Sequence, residues 1–481
     1  MNTRIKSWMV ISAMMATMAP VALFGQEEAE VDKGGIATYA EPDFFRPYDK
    51  RGLHVFETTK EDMNKTYTGR KFSLGAGFSL QFQALDHSNN GALNNVYNAM
   101  MPDPADPTKM IIDVANRRNA LAKMAPGFSL PQANLYIDAQ LADGIRLHLA
   151  NYMASKHHNE FWVKGGYLQV DKLPFKGEFW DKINEIVTVK AGHMEINYGD
   201  AHYRRPDGGH TSYSPFIESN IMDAFATEIA AEVYAQKNGW IGMVGLSNGM
   251  IKGHTEEAAP TDNGFEKRNP SVYLKGGWDK QLNDDLRLRF TGSLYHNSGT
   301  NGSGLTLYSG DRTGSNYNLV MDQYYSAGAA KAATAIYKSG RFDSNSLNRK
   351  LTAFMFNAFA KANGFEFFGT AEFANGRSNA AADTEDRATS QYAAEGIYRF
   401  GSNENLFLGA RYNIVNSEVL MGTTVENVKV DRVALGAGWF MTKNILIKGE
   451  YVNQKYSDFP TADYRHNGKF NGVVLQAAIG F

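Results

Sequence analysis

Apolar and polar residues alternate along residues 71–84, and this alternation limits the fold more than any other feature of the chain. Phe72, Leu74 and Phe78 share one face, whereas Ser73 and Gly75 share the other. Side chains of a β-strand point alternately to its two faces, so the segment predicts a strand, and no helix would bury these apolar residues together. Similar segments predict fifteen further strands, at about 133–142, 145–153, 163–172, 187–198, 227–236, 240–248, 270–279, 285–297, 349–362, 365–375, 388–400, 405–416, 428–442, 445–456 and 469–481.

Short and long connections alternate between these segments. Four short ones carry residues typical of tight turns, namely Asp143-Gly144, Lys237-Asn238-Gly239, Asn363-Gly364 and Lys443-Asn444. The long ones are 87–132, 154–162, 199–226, 249–269, 298–348, 376–387, 417–427 and 457–468. Strands that cross a membrane as a closed cylinder show this alternation. We therefore predict an all-β chain in which residues 71–481 form a transmembrane antiparallel β-barrel of about 16 strands, with long extracellular loops and short periplasmic turns.

One short-turn connection differs from the others. Residues 175–185 follow the fourth predicted strand and have the spacing of a short amphipathic helix, with Trp180 and Ile183 on its apolar side. We predict that this helix lies at the periplasmic rim of the barrel.

The amino terminus predicts export. Arg4 and Lys6 precede an apolar stretch that ends near Phe24, and small Gly25 is followed by polar residues. This is the pattern of a secretory signal peptide over residues 1–25, with a membrane anchor as the less favoured alternative. Residues 26–70 show no sustained period and are predicted to form a periplasmic N-terminal extension or a small plug. The predicted location is the outer membrane of a Gram-negative cell.

The carboxy terminus and the composition support a membrane barrel. The alternation runs to Phe481, the last residue, and this ending resembles the assembly signal that the barrel-assembly machinery of Gram-negative bacteria reads. The chain has no cysteine, which excludes disulfides, thiol nucleophiles and thiolate metal sites. Outer-membrane lipid is then a predicted partner, because stability must come from backbone pairing and lipid contact.

Catalytic and nucleotide-binding motifs are weak or absent. Gly245-Leu246-Ser247-Asn248-Gly249 fits the pattern of a hydrolase nucleophile, but that motif requires a strand, a turn and a helix, and here it ends a strand. His157-His158 have no third ligand at a suitable spacing. Basic residues form no run, and there is no glycine-rich phosphate loop. We predict no enzyme activity, no metal, no cofactor and no nucleic-acid partner.

Three segments resemble a known family of barrels, the phosphate-selective porins. The likeness lies in residues 191–199, in Phe216-Ile217-Glu218-Ser219, and in residues 245–249. The family has a glycine-led strand that ends in Phe-Gly, where this chain has Tyr198-Gly199. The resemblance implies a channel for phosphate-like oxyanions and a homotrimer.

A barrel of sixteen strands is too wide for side chains to fill, so an inward-folded loop is expected to narrow it. We predict that the third long connection forms this constriction, with His202, Tyr203, Arg204, Arg205 and His210 as its candidate residues. Placing the apolar faces outward gives a lumen wall of mixed charge. It contains a basic strip of Lys275, Arg287 and Arg289 and an acidic counterpart of Glu228 and Glu232. The simpler interpretation is that these are paired wall charges that keep the lumen wet.

The predicted function is that of an outer-membrane porin, a passive diffusion channel for small polar or anionic solutes, with phosphate-like oxyanions among the candidates. The alternative is a blocked barrel that acts as a surface binding protein, an adhesin or an outer-membrane hydrolase. A secreted all-β protein is a third interpretation, which the alternating connections and the terminal phenylalanine make the weakest.

Overall fold

A computed structural model describes residues 45–58, 60, 67, 69–90, 96–119, 121–122, 124–155, 162–205, 211–250, 268–300, 304–308, 318–322, 325–326, 329–330, 340–342, 347–378, 383–461 and 463–481. The predicted signal peptide and residues 26–44 lie outside this part of the chain.

The described residues form twenty strands. They are β1 (Lys71–Ser88), β2 (Val96–Asp103), β3 (Asp106–Asn119), β4 (Gly127–Ala142), β5 (Ile145–Met153), β6 (Trp162–Val170), β7 (Val187–Glu195), β8 (Thr227–Lys237), β9 (Trp240–Ser247), β10 (Ser271–Gln281), β11 (Leu286–Asn297), β12 (Tyr325–Ser326), β13 (Ala329–Ala330), β14 (Lys350–Ala362), β15 (Phe365–Arg377), β16 (Arg387–Phe400), β17 (Leu406–Met421), β18 (Thr424–Thr442), β19 (Ile445–Ser457) and β20 (Lys469–Gly480).

Sixteen of these strands close into one antiparallel barrel. Each strand pairs with its neighbours in the chain, and β1 pairs with both β4 and β20, which closes the cylinder. The other four strands form two small hairpins within long connections, β2 with β3 and β12 with β13. The predicted sixteen-strand transmembrane barrel is confirmed.

The two faces of the barrel wall differ as the alternation predicted. On β14, for example, Phe354 and Phe356 are exposed on the outside, whereas Met355 and Asn357 between them are buried inside. Aromatic residues recur near the strand ends, as with Phe128 at the start of β4 and the pair of Tyr398 with Phe400 at the end of β16. An apolar outer surface with aromatic residues at its margins is the form that a bilayer requires of a barrel.

Tight turns set the register at the short-turn end. Asn363 and Gly364 both have positive φ, at 48° and 80°, and join Ala362 directly to its partner Phe365. This is the backbone of a two-residue hairpin turn that favours Asn-Gly.

The helix predicted at residues 175–185 is present as α1 (Glu178–Asn184), and its Trp180 and Ile183 are half-buried. Two short 3-10 helices, Lys50–Gly52 and Ala201–Arg204, accompany it. Among the described helices, none is long and apolar enough to cross a membrane.

The predicted long connection at 417–427 is wrong. Strands β17 and β18 continue through this region and pair as far as Met421 with Thr424, so only Gly422 and Thr423 join them. Gly422 has a φ of 67°, which suits a tight turn. The fourth strand of the chain, β4, also begins earlier than predicted, at Gly127.

The last residue takes part in closure. The backbone of Phe481 exchanges hydrogen bonds with Ala76 of β1, with N to O distances of 2.8 and 3.1 Å, and its side chain is exposed. This position at the seam is compatible with the assembly role predicted for Phe481, which stays a prediction.

Candidate functional site

The third long connection lies inside the barrel. It joins β7 to β8, and it is described at residues 196–205 and 211–226, which we call the inner loop. Phe216, Ile217 and Ile221 have no exposed surface. A loop buried in this way needs partners for its backbone polar groups, since each unsatisfied group costs free energy.

Side chains of the barrel wall supply acceptors for the backbone N–H groups of the inner loop. The Glu450 carboxylate accepts from the N–H of Ile217 and, at 2.8 Å, from that of Glu218. Asn413 accepts from Ile221 at 2.6 Å, and Gln391 accepts from Met222 at 2.9 Å.

Other wall side chains donate to the carbonyl groups of the same loop. Lys448 Nζ donates to Thr211 O at 2.7 Å and to Ser214 O and Phe216 O at 2.9 Å. Arg411 and Arg432 each donate to one further loop carbonyl at 2.5 Å. The six side chains on β16–β19 that hold the loop backbone form what we call the anchoring wall: Gln391, Arg411, Asn413, Arg432, Lys448 and Glu450.

A four-residue ionic cluster fixes the start of the inner loop. We call Glu57, Asp200, Lys275 and Arg289 the Asp200 cluster. Lys275 Nζ lies 2.7 Å from Asp200 and 2.8 Å from Glu57, and Arg289 lies 2.7 Å from each of the same two carboxylates. Thr291 adds a hydrogen bond of 2.7 Å to Asp200. Two cations and two carboxylates therefore balance within a buried site.

The cluster shifts the pKa of both of its carboxylic acids. Burial alone would raise the pKa of Glu57, but the nearby Arg289 and Lys275 outweigh it and lower the pKa to about 2. Burial likewise opposes ionisation of Asp200, and the same two cations hold its pKa well below the usual range. Both carboxylates are therefore ionised at neutral pH.

The two candidate arginines of the constriction are paired with carboxylates. Arg204 Nη2 lies 2.5 Å from Glu366 and 3.3 Å from Glu395 on the wall. Arg205 Nη2 lies 2.8 Å from Asp223 of the same loop, and its guanidinium group stacks over Phe225 at 3.8 Å. Both side chains are buried. Their charges are thus largely balanced within the protein, which favours a role in holding the loop.

The remaining loop candidates are placed differently. His202 Nδ1 lies 2.5 Å from Glu195, and its Nε2 lies 3.0 Å from Asn197. Tyr203 packs edge-on against Phe56 at 5.7 Å and lies next to His202. His210 lies outside the described residues.

The predicted basic strip and its acidic counterpart are brought close to the inner loop. Lys275 and Arg289 belong to the Asp200 cluster, whereas Arg287 pairs with Asp279 at 2.7 Å. Glu232 accepts from the backbone N–H of Asn197 at 2.9 Å and from the Tyr234 hydroxyl at 2.6 Å. Glu228 accepts from hydroxyl groups, among them that of Thr306 at 2.9 Å. These wall charges therefore bind protein groups.

The segment of residues 45–58 also contacts the lumen wall and the inner loop. Arg46 donates to the carbonyl of Tyr203 at 3.1 Å and lies over the Tyr213 ring at 3.8 Å. The ring of Tyr48 stacks on Tyr136 of β4 at 4.0 Å. Together with Glu57 of the Asp200 cluster, these contacts hold the segment against the inner loop. We call residues 45–58 the inner segment.

A cavity remains on the side of the lumen opposite the anchoring wall. It has a volume of about 220 Å³ and lies between β4–β8, the inner loop and the inner segment. The inward side chains of β8 are buried, whereas His148, Tyr167, Lys190 and Glu195 on β5–β7 are only half-buried. These four side chains therefore keep part of their surface exposed to the cavity. The described residues contain no group of three or more His, Asp or Glu side chains that could hold a metal.

Comparison with known proteins gives distant likenesses. No protein-family model matches the chain, and no curated protein matches it. An anion-selective porin from Comamonas acidovorans is 10% identical with a TM-score of 0.49, over 86% of this chain and 100% of that one. The outer-membrane channel DcaP of Acinetobacter baumannii is 11% identical with a TM-score of 0.47, over 87% and 99%. Pseudomonas putida OprB is 9% identical with a TM-score of 0.46, over 86% and 94%.

The ion pairs of Arg204 lead to a testable expectation about selectivity. Arg204→Gln alone should favour cations, because it removes one positive charge from a group in which Glu366 and Glu395 also pair with Arg399 and Arg411. Arg204→Gln with Glu395→Gln restores the balance of charge. We expect the balanced variant to show the wild-type reversal potential across a salt gradient to within about twofold in permeability ratio. If its reversal potential shifted toward cations as far as that of the single variant, Arg204 would itself attract the permeating ion.

Proposed function

We propose that the protein is a passive outer-membrane channel for small polar or anionic solutes. The observation that carries the proposal is a closed sixteen-strand barrel with an apolar outside and a charged inside, in which a loop held by wall side chains leaves a lumen cavity beside β5–β7. Barrels of this width form aqueous channels that an inward loop narrows. The wall beside this cavity contains Lys164 and Lys190, which supports passage of anions, including phosphate-like oxyanions.

The decisive experiment is single-channel recording of the refolded chain in a planar bilayer. Discrete conductance steps, with a reversal potential that shows anion preference in a potassium chloride gradient, are the expected result. Added phosphate should reduce the chloride current if oxyanions use the same path. A sample that circular dichroism shows to be folded, but that gives no steps, would remove the channel proposal.

One observation favours a blocked barrel as the second candidate. The inward side chains of the anchoring wall and the Asp200 cluster are at most a few per cent exposed, so this half of the lumen is filled. If the cavity does not connect both ends of the barrel, the protein would be a surface binding protein or adhesin. Silent recordings combined with binding of intact cells to a surface would support that function.

We further propose that the predicted extension of residues 26–70 acts as a partial plug. Its support is the set of contacts that the inner segment makes with the inner loop and with Tyr136 of β4. Deletion of residues 26–58 should then increase the unitary conductance, and an unchanged conductance would show that these residues do not narrow the channel. The proposed homotrimer rests on the family resemblance, and cross-linking in intact outer membranes tests it.

A further inference from the structure

Three neighbouring strands each carry a lysine on the outside of the barrel, just beyond the apolar surface. Counted from the short-turn end, the outward residues of β18, β19 and β20 are apolar or glycine as far as Val433, Tyr451 and Val473. On each strand the next outward residue is polar, and the one after it is a lysine. These lysines are Lys429, Lys455 and Lys469, which we call the outer lysines. They lie at the long-loop end, above the surface that contacts hydrocarbon.

The outer lysines lie close together with little opposing charge. Lys455 is directly opposite Lys469 in the pairing of β19 with β20. On its other side Lys455 is opposite Asp431, and Lys429 lies two residues along β18 from Asp431. Asp431 is the one carboxylate among the outward side chains of β18–β20, all of which the structure describes. None of the outer lysines makes an ion pair or a hydrogen bond with another described residue.

A second outward pair of cations in the same barrel has an anion of its own. Lys350 of β14 is directly opposite Arg377 of β15. Asp386 lies 2.6 Å from Lys350 and 2.9 Å from Arg377, so its carboxylate bridges the two cations. Like charges directly opposite each other destabilise a sheet, and such a bridge removes the penalty. Lys455 and Lys469 repeat this arrangement without a bridging carboxylate, so an anion from outside the chain would stabilise them.

We propose that the outer lysines bind a phosphate group of a phosphorylated lipid in the outer leaflet of the outer membrane. The acyl chains of such a lipid lie against the apolar surface that includes Tyr451 and Val473, and this brings its headgroup level with the lysines. Lysine binds phosphate as a point charge, and lysines near a phosphate-bearing membrane surface attract it. The site goes beyond the proposed channel function, because it depends on the membrane around the barrel and not on the lumen.

Lipid binding by the refolded full-length chain in detergent micelles tests the proposal, with native mass spectrometry to count bound lipid. The probe is diphosphoryl lipid A. The same lipid without its phosphates keeps the acyl chains, and inorganic phosphate keeps the anion alone. We expect diphosphoryl lipid A to bind at least about tenfold more tightly than the dephosphorylated lipid. Equal binding of the two lipids would overturn the role of the phosphate, and full displacement of lipid A by inorganic phosphate would overturn the lipid as its source.

Substitution of the directly opposed lysines locates the site. Lys455→Gln with Lys469→Gln should weaken the binding of diphosphoryl lipid A at least about tenfold. The matched control is Lys280→Gln with Lys443→Gln, which removes the same charge from two exposed lysines at the short-turn end. An unchanged affinity in the site variant, or an equal loss in the control, would overturn the site.

A third variant retains all three outer lysines. Asn471 is the outward residue next to Lys469 on β20, and Asn471→Asp would place a carboxylate beside the lysine pair, as Asp386 lies beside Lys350 and Arg377. This variant should bind diphosphoryl lipid A more weakly than the wild type, whereas Asn471→Ser, which adds no charge, should not. Equal affinity in Asn471→Asp and Asn471→Ser would show that charge at this position does not govern lipid binding, and it would overturn the proposal.

The outcomes separate this inference from the proposed channel. Phosphate-dependent binding of lipid A together with silent bilayers would retain the site and remove the channel. Clear conductance steps without phosphate-dependent lipid binding would retain the channel and overturn the site.

Discussion

Asp200→Asn is expected to release the inner loop from the barrel wall. The carboxylate of Asp200 lies 2.7 Å from both Lys275 and Arg289, and its removal leaves two buried cations with Glu57 as their only partner within the cluster. Breaking a buried ion pair on one side costs about 3–5 kcal/mol. The strands of the barrel keep their backbone hydrogen bonds, so the cost appears first as undocking of the loop. We expect larger and noisier unitary conductance, and a lower free energy of unfolding in urea titrations of the vesicle-inserted protein.

The exposed ion pair of the turn between β4 and β5 provides the matched control. Asp143→Asn makes the same chemical change, but Asp143 and Lys172 are 47% and 54% exposed, so the expected cost is about 0–1 kcal/mol. A second variant tests the charge argument. Asp200→Asn with Arg289→Gln returns the cluster to balance, and it should recover part of the wild-type conductance. Asp200→Asn behaving like Asp143→Asn would mean that the cluster does not hold the loop.

The barrel could be predicted from the sequence because its determinants are local. Alternation within a strand and turn residues such as Asn363-Gly364 act over a few positions, and both agree with the structure. The error at residues 417–427 has a local cause as well. Val419, Leu420 and Met421 are consecutive apolar residues, which hides the alternation at the end of β17.

The partners inside the barrel could not be predicted in the same way. Alternation placed Lys275, Glu366 and Glu450 on the inward face, but it does not say what each side chain binds. Those partners depend on the path of the inner loop. Arg204 bonds to Glu366 at a separation of 162 residues, and the backbone of Glu218 bonds to Glu450 at a separation of 232. The role of Asp200 was missed for this reason, since its only local signal is its place early in the loop, five residues after the end of β7.

Glu57→Gln is expected to undock the inner segment at neutral pH. Glu57 is the residue of this segment that bonds to both Lys275 and Arg289, at 2.8 and 2.7 Å, and a neutral amide cannot balance either cation. The variant should show a higher conductance than the wild type. Because the chain has no cysteine, Val55→Cys introduces a single thiol, and its labelling by a membrane-impermeant maleimide should be faster when Glu57→Gln is also present. Equal labelling rates would show that Glu57 does not hold the segment.

Lowering the pH should also undock the inner segment of the wild type. The direction of this pH dependence follows from the lowered pKa of Glu57. The docked state lowers this pKa to about 2 from an ordinary value near 4.3, because Arg289 and Lys275 favour the carboxylate more than burial opposes it. A group with a lowered pKa stabilises docking above its ordinary value, and this stabilisation is lost as the pH falls toward the lowered one. Wild-type conductance should therefore be constant from pH 7 to about 5 and rise between about pH 4 and 2. Glu57→Gln should begin at the raised conductance and lack most of this rise, whereas a parallel rise in both proteins would assign the titration to other carboxylates.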